Sequence, residues 1–134
     1  MLKRRKIVIT GSSKGIGKAI TYKFAENDSD VFLISSNEKN LRKVALDVKT
    51  KFMVNVEYCV ANLKTEEGCN YTVKEIKKKF NDFDTLIFCA GDTKSGNILT
   101  QPISDFYDGF ALKFYSVVRL TKGLWNNLKR KKGW

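Results

Sequence analysis

Short apolar runs alternate with longer stretches of helical periodicity along the chain, the pattern of a β-α-β protein. The run Lys6–Thr10 is dominated by β-branched residues and predicts a buried strand, followed by a helix over Ile16–Glu26. Asn27, Asp28 and Ser29 supply a turn. The next strand, Asp30–Ser35, carries Val31, Phe32, Leu33 and Ile34 in succession, as a strand covered on both faces requires. Asn37 reads as the N-cap of a helix from Glu38 to about Lys51, with Leu41, Val44, Ala45 and Val48 as its buried stripe.

The second half repeats the alternation. Val54, Val56, Tyr58 and Val60 occur at every second position, so the strand expected over about Val54–Val60 reads as a more exposed edge. Thr65-Glu66-Glu67-Gly68 opens a helix running to about Phe80, with Val73, Ile76 and Phe80 inward and Lys74–Lys79 mostly solvated. A fourth strand is expected over Asp84–Cys89, ended by Ala90-Gly91, and a polar loop follows over Asp92–Gln101. Pro102 fits the first position of a final long helix, Ile103 to about Arg130. The expected inner face of that helix is Ile103, Phe106, Phe110, Phe114, Val117, Val118, Thr121, Leu124 and Leu128, widened by Leu112, Tyr115 and Trp125. Four β-α units with right-handed crossovers predict an α/β fold with a parallel sheet, a single domain over residues 1–134.

The composition narrows the setting. A chain of 134 residues supports one modest core. No uninterrupted apolar run has the length of a membrane span, and the basic start leads into a short strand and glycines rather than a signal peptide, so no membrane partner is expected. Cys59, Cys69 and Cys89 stand at no metal-ligand spacing and histidine is absent, so no metal site is expected, and reduced thiols point to a cytoplasmic setting. Net charge is +11, and much of it sits in Lys3, Arg4, Arg5 and Lys6 and in Lys129, Arg130, Lys131 and Lys132. Such clusters suit nucleic acid or an anionic surface, but a solvated strand entrance and a helix end whose cations complement the dipole are the favoured reading.

Ile7–Gly17 carries the candidate chemistry: strand, glycine-rich turn, helix. That layout aims a helix N-terminus, with its unpaired N–H groups and favourable dipole, at a phosphate. Gly11 permits the sharp turn, Gly15 a close approach to a pyrophosphate, and Gly17 a tight seat of helix on sheet. The spacing is G-x-x-x-G-x-G rather than the general G-x-G-x-x-G. An NTPase phosphate loop is excluded because Ser12 stands at its first glycine and Ala19, which follows Lys18, cannot hold magnesium.

Thr10-Gly11-Ser12-Ser13-Lys14-Gly15-Ile16-Gly17 resembles the cofactor motif of the short-chain dehydrogenase/reductase family. The resemblance implies a Rossmann-like three-layer sandwich with strand order 3-2-1-4 and a binding crevice at the carboxyl ends of strands 1 and 4. It implies that Gly11, Ser12, Ser13, Lys14, Gly15, Ile16 and Gly17 hold a pyrophosphate. Asn62 then stands where the family usually has an adenine-contacting Asp, and Cys89-Ala90-Gly91 where it has Asn-Ala-Gly. Cys89 is expected as a small buried apolar residue. Ser35-Ser36-Asn37 brings no acid to the end of strand 2, where an NAD site carries one, so NADP is expected over NAD. Lys14 reads either as a partner of the 2′-phosphate or as a solvated loop lysine.

The family's catalytic serine, tyrosine and lysine find no counterparts. Four residues after Tyr22, Tyr58, Tyr71, Tyr107 and Tyr115 stand Glu26, Asn62, Glu75, Ala111 and Arg119, so Tyr-x-x-x-Lys is absent. Lys113 falls at the family's supporting asparagine. The resemblance therefore covers the N-terminal half of a family member, a truncated doubly wound fold expected to be inactive alone. The apolar fourth strand and the long helix, which joins a dimer interface in the family, then suit a homo-oligomer or a complementing chain. Three functions follow in order of preference: the cofactor half of an NADP-dependent oxidoreductase acting on a carbonyl or alcohol; a non-catalytic nucleotide-binding or partner-docking module; and a basic nucleic-acid binder.

Overall fold

Strands apolar on both faces are satisfied only inside a covered sheet, and the two central strands meet that condition. Ile7, Val8 and Ile9 of β1 (Lys6–Thr10) and Val31–Ile34 of β2 (Asp30–Ser35) have no solvent exposure. The computed structural model describes residues 4–91 and 94–131. After β1 come α1 (Gly15–Glu26), β2, α2 (Glu38–Lys51), β3 (Val56–Val60), α3 (Glu66–Lys79), β4 (Thr85–Phe88) and α4 (Ile103–Phe110). A π-helical turn, Ala111–Tyr115, joins α4 to α5 (Ser116–Arg130). The sheet is parallel throughout, in the expected order β3-β2-β1-β4, with Ile7 opposite both Val31 and Thr85.

Strand alternation divides the interior into two layers. Ile7, Ile9, Val31 and Leu33 face α1 and α2 and meet Ala25, Leu41, Val44 and Val48. Val8, Phe32, Ile34 and Cys59 face α3 and α5 and meet Ile76, Phe80, Phe83, Leu120 and Leu124. Asn37 caps α2 as expected, its side chain accepting from the Asn40 N–H at 3.0 Å, and all four residues of the α2 stripe are buried. Thr65 caps α3 by accepting from the Gly68 N–H at 3.0 Å.

Side chains shorten two strands. The Asn55 N–H donates to the Asp30 carboxylate at 2.9 Å, so β3 begins at Val56 rather than Val54. At the far edge the Thr10 hydroxyl accepts from the N–H groups of both Cys89 and Ala90, each at 3.1 Å, and β4 stops at Phe88. Pro102 is the N-cap of α4, one residue before the position expected for it.

The main correction concerns the long helix. The expected inner face is only partly the buried one, and the difference is present on both sides of the π turn. Ile103, Phe110, Phe114 and Val118, expected inward, are 64%, 63%, 55% and 40% exposed. The buried positions are Gly109 of α4 and Ser116, Leu120, Leu124 and Asn127 of α5. Ser116 donates its hydroxyl to the Leu112 carbonyl within the turn. Among the described residues β4 has no strand on its outer side, and no helix is long and apolar enough to cross a membrane.

The basic ends are partly committed to the fold. Arg4 pairs with Asp30 at 3.6 Å, Lys6 donates to the Phe80 carbonyl at 3.1 Å, and Arg130 bonds Asp82 at 2.7 Å. Lys3 and Lys132 lie outside the described residues.

The burial of the last helix sets the cost of truncation. Leu120→Ala is expected to lower the unfolding free energy by about 2–5 kcal/mol, whereas Ile103→Ala changes it by no more than about 0.5 kcal/mol. Urea unfolding of the two variants checks the contrast.

Candidate functional site

β1 delivers the chain to Gly11, where φ is +65°, and α1 begins four residues later at Gly15, where φ is +56°. Three backbone segments meet there. A methyl group at Gly17 would lie 2.0 Å from the Gly11 carbonyl oxygen, and one at Gly11 would lie 2.6 Å from Ala90 N and from the Cys89 carbonyl. Glycine is therefore required at both positions by contact with backbone, which cannot rotate away. At Gly15 a methyl would meet nothing within 4 Å, because this position looks into open space.

That space is a cleft of about 400 Å³ at the carboxyl ends of β1, β2 and β4. Twelve of the thirteen residues expected at the site line it: Gly11, Ser13, Lys14, Gly15, Ile16, Gly17, Ser35, Ser36, Asn62, Cys89, Ala90 and Gly91. Ser12 is the thirteenth and lies behind the wall. It is fully buried, its hydroxyl accepting from the Ile34 N–H at 3.1 Å and lying 3.3 Å from the Ile34 carbonyl, so it ties the glycine turn to β2. Ser13 and Ser35 share a hydrogen bond of 2.8 Å, and Ser35 accepts from the Asn37 N–H at 3.1 Å. The turn is thus fastened to the end of β2 from two sides.

Helix geometry leaves the N–H groups of Lys14, Gly15, Ile16 and Gly17 without intrahelical partners, and the Lys18 N–H makes the first such bond, to the Lys14 carbonyl at 3.2 Å. The first turn of α1 holds no acidic residue, and no acidic side chain lines the cleft, while Lys14 and Lys64 do. The site is built to receive negative charge. The Asn62 side chain accepts from the Lys64 N–H at 3.0 Å, and the Asn62 carbonyl accepts from the Thr65 hydroxyl at 3.0 Å, so this residue also shapes the loop into α3. Cys89 is half-buried rather than fully buried, and burial pushes its thiol above the ordinary range. Burial pushes Cys59 further, to about 11, so neither is a poised thiolate.

Beyond Lys14 a second hollow of about 510 Å³ opens between α1 and α2, with Lys18, Lys43, Tyr22 and Asp47 on its walls. It is the larger of the two, but it lies away from the strand ends. The Tyr22 hydroxyl donates to Asp47, and burial, with Asp47 beside it, raises Tyr22 to about 12. That hydrogen bond and Lys51 hold Asp47 below the usual carboxylate range.

Thr10, Lys64 and Leu112 belong to the site although the sequence reading did not assign them there. Thr10 fixes Cys89 and Ala90, and Lys64 and Leu112 line the cleft. Thr10 stands directly before the first glycine, a position that could have marked it, and Leu112 lies within the π turn. Lys113 comes to the same end: a methyl on Gly91 would lie 2.9 Å from its Cε. No group of three or more potential metal ligands occurs among the described residues.

The short chain dehydrogenase family model matches residues 5–134. The chain is 30% identical over 132 residues to the uncharacterized oxidoreductase YvaG of Bacillus subtilis, covering 98% of this chain and 48% of that protein. It is 30% identical over 99 residues to the 3-oxoacyl-[acyl-carrier-protein] reductase FabG of Aquifex aeolicus, covering 74% of this chain and 40% of that one. In structure it superposes on L-sorbose reductase from Gluconobacter frateurii, complexed with NADPH and L-sorbose, with a TM-score of 0.91 at 28% identity, over 97% of this chain and 49% of that one. It superposes on an alcohol dehydrogenase from Thermococcus sibiricus, complexed with 5-hydroxy-NADP, with a TM-score of 0.93 at 25% identity, over 98% and 56%. The chain spans about half the length of these relatives.

The glycine contacts give a direct check on the site's construction. Gly17→Ala forces Gly11 to move and is expected to lower the unfolding free energy by about 1–3 kcal/mol, the usual cost of overpacking. Gly91→Ala meets only the pliant stem of Lys113 and is expected to leave stability within about 0.5 kcal/mol. Thermal melts of the two variants distinguish these outcomes.

Proposed function

The chain belongs to the short-chain dehydrogenase family, and from that premise we propose that it is a nicotinamide-dinucleotide-binding segment of an oxidoreductase, one that takes NADP(H). The observation that carries the reading is the fit of the cleft to a diphosphate: unpaired N–H groups at the mouth of α1, open space at Gly15, and no acidic side chain on the walls. Gly11, Ser13, Gly15, Ile16 and Gly17 would hold the pyrophosphate, with Ser12 anchoring the turn from behind. Asn62 would flank the adenine, and Cys89, Ala90 and Gly91 would wall the second ribose.

Preference for the phosphorylated cofactor rests on the end of β2. Ser35 and Ser36 supply hydroxyls where a carboxylate would repel a 2′-phosphate, and Lys14 is exposed beside them on the cleft wall. The solved relatives named above that contain NADPH and 5-hydroxy-NADP are consistent with this choice. The cofactor supplies the hydride chemistry, between NADP(H) and a carbonyl or alcohol. The residues of this chain bind and orient it. Tyr-x-x-x-Lys does not occur in the 134 residues, so proton exchange with the substrate requires groups from outside them. We treat residues 1–134 as one dinucleotide-binding unit.

A second observation favours a docking role alongside binding. Ile103, Tyr107, Phe110, Phe114 and Val118 are exposed and recur at helical spacing, and β4 presents an unpaired edge among the described residues. These surfaces suit a second copy or a complementing chain. Nucleic-acid binding is the weaker reading, because Arg4, Lys6 and Arg130 are engaged within the fold.

Two measurements test these readings. NADPH is expected to bind in a fluorescence titration, and Lys14→Ala to weaken it about tenfold while changing NADH little, the loss of one charge-assisted contact. No binding of NADPH at millimolar concentration overturns the cofactor assignment. Sedimentation at micromolar concentration is expected to show a dimer or larger species; a monomer with a sharp cooperative melt overturns the docking reading.

A further inference from the structure

We infer that the base end of the cleft offers hydrogen-bond donors where adenine calls for an acceptor, so that it takes a dinucleotide carrying a 6-oxopurine at least as tightly as one carrying adenine. The inference deepens the dinucleotide reading above and rests on it. A dinucleotide lying across a switch-point crevice has its pyrophosphate at the first helix and its adenosine ribose at the end of β2. The base on that ribose then lies beside the segment leaving β3, Ala61–Lys64, whose residues line the cleft next to Ser35 and Ser36. The Ala61 N–H donates to the Ser35 carbonyl at 3.0 Å, which keeps the two strand ends together.

Within that segment Ala61 and Leu63 are buried, while Asn62 and Lys64 are exposed. The Asn62 terminus is oriented by its neighbour. The Lys64 N–H donates to it at 3.0 Å, and an N–H can donate only to the amide oxygen. Oδ1 is therefore engaged by the loop, and the NH2 is the end without a partner among the described residues. The backbone of the same residue is pinned. Its carbonyl accepts from the Thr65 hydroxyl at 3.0 Å, and a methyl on Gly68 would lie 1.9 Å from that oxygen, so α3 packs directly against it. An aspartate here would keep the bond to the loop and present a second oxygen, an acceptor. Asn62 presents a donor instead. Lys64 adds an ammonium with no carboxylate partner among the described residues, and no acidic side chain lines the cleft.

Purines differ in what they show to such a pair. Adenine carries an amine donor at position 6 beside the N7 acceptor, whereas a 6-oxopurine carries acceptors at both O6 and N7. A side-chain amide NH2 and an ammonium complement the second edge and oppose the exocyclic amine of the first. Lysine pairs with the O6 and N7 of guanine for this reason. Hypoxanthine has the same two acceptors without the 2-amino group, so it isolates the effect of position 6. The phosphates and the nicotinamide are common to both dinucleotides, and charge changes on the wall act on them equally. The ratio of the two affinities therefore reports the base alone.

The test compares NADPH with its hypoxanthine analogue, reduced deamino-NADPH, by titrating the nicotinamide fluorescence of each against the 134-residue chain and against Asn62→Asp and Lys64→Met. Wild type is expected to bind deamino-NADPH at least as tightly as NADPH. Asn62→Asp keeps the bond to the loop and is expected to shift the ratio of the two Kd values about tenfold in favour of NADPH, the exchange of an opposed donor for a matched acceptor. Lys64→Met is expected to shift it about threefold in the same direction. Wild type binding NADPH clearly more tightly than deamino-NADPH, or a ratio in Asn62→Asp within about twofold of wild type, overturns the inference and leaves the cofactor assignment standing. Failure of wild type to bind either nucleotide at millimolar concentration removes that assignment and this inference together.

Discussion

The constraint on which the site depends is a close approach between backbones. α1 lies so near the turn after β1 that Gly17 has no room for a methyl beside the Gly11 carbonyl, and Gly11 in turn is pressed against Cys89 and Ala90. Helix, turn and edge strand are stacked closely, with the Cys89 Cβ 3.2 Å from where a methyl on Gly17 would be. The mouth of α1 is consequently held at the carboxyl rim of the sheet, where its unpaired N–H groups open into the cleft. Everything else at the site serves this stack. Ser12 fastens the turn to β2, Thr10 closes the end of β4, and Ser13 bonds Ser35.

That arrangement explains why the cleft has one electrostatic sign. A helix mouth contributes partial positive charge, and a carboxylate on the walls would oppose it. The acidic groups near the sheet are used elsewhere: Asp30 receives Asn55 and Arg4, Asp84 receives the Lys6 N–H, and Asp47 receives Tyr22. Arg4 is held by Asp30, the Lys6 ammonium donates to the Phe80 carbonyl, and Arg130 is paired with Asp82. The large net charge of the chain is therefore less free than its composition suggests. Lys14 and Lys64 line the cleft, and Lys14, Lys18 and Lys43 line the hollow beside it.

The fold was legible where each residue's neighbours in sequence decide its environment. Val31–Ile34 can lie only in a covered strand, and Leu41, Val44, Ala45 and Val48 share one face of any α-helix, with Asn37 placed to cap it. The glycine turn was legible for the same reason, since its tasks are backbone tasks. Side-chain substitution for ladder bonds was not: nothing in the local pattern says that Asp30 will take the Asn55 N–H or that Thr10 will hold both Cys89 and Ala90. Ser12 is a further case. Its position in the motif suggested a cleft residue, but its hydroxyl is buried against Ile34, a contact made across 22 residues of chain.

The π turn shows how a single added residue links site and surface. Ile103, Phe106, Phe110, Phe114, Val117 and Leu124 satisfy a 3.6-residue repeat so well that one amphipathic helix is the natural reading. In the folded chain Ala111–Tyr115 breaks that repeat. On one side the break buries Ser116, Leu120, Leu124 and Asn127 against the sheet layer and α3. Ile103, Phe110, Phe114 and Val118, on both sides of it, face outward. A π turn forgoes the better α-helical hydrogen bonds, and such turns persist where the displaced residues have a task. Leu112 and Lys113 of this turn lie at the end of β4 near Gly91. Leu112 of this turn closes the cleft wall while Phe114 of the same turn faces outward, so the cleft and the outward face share one short segment.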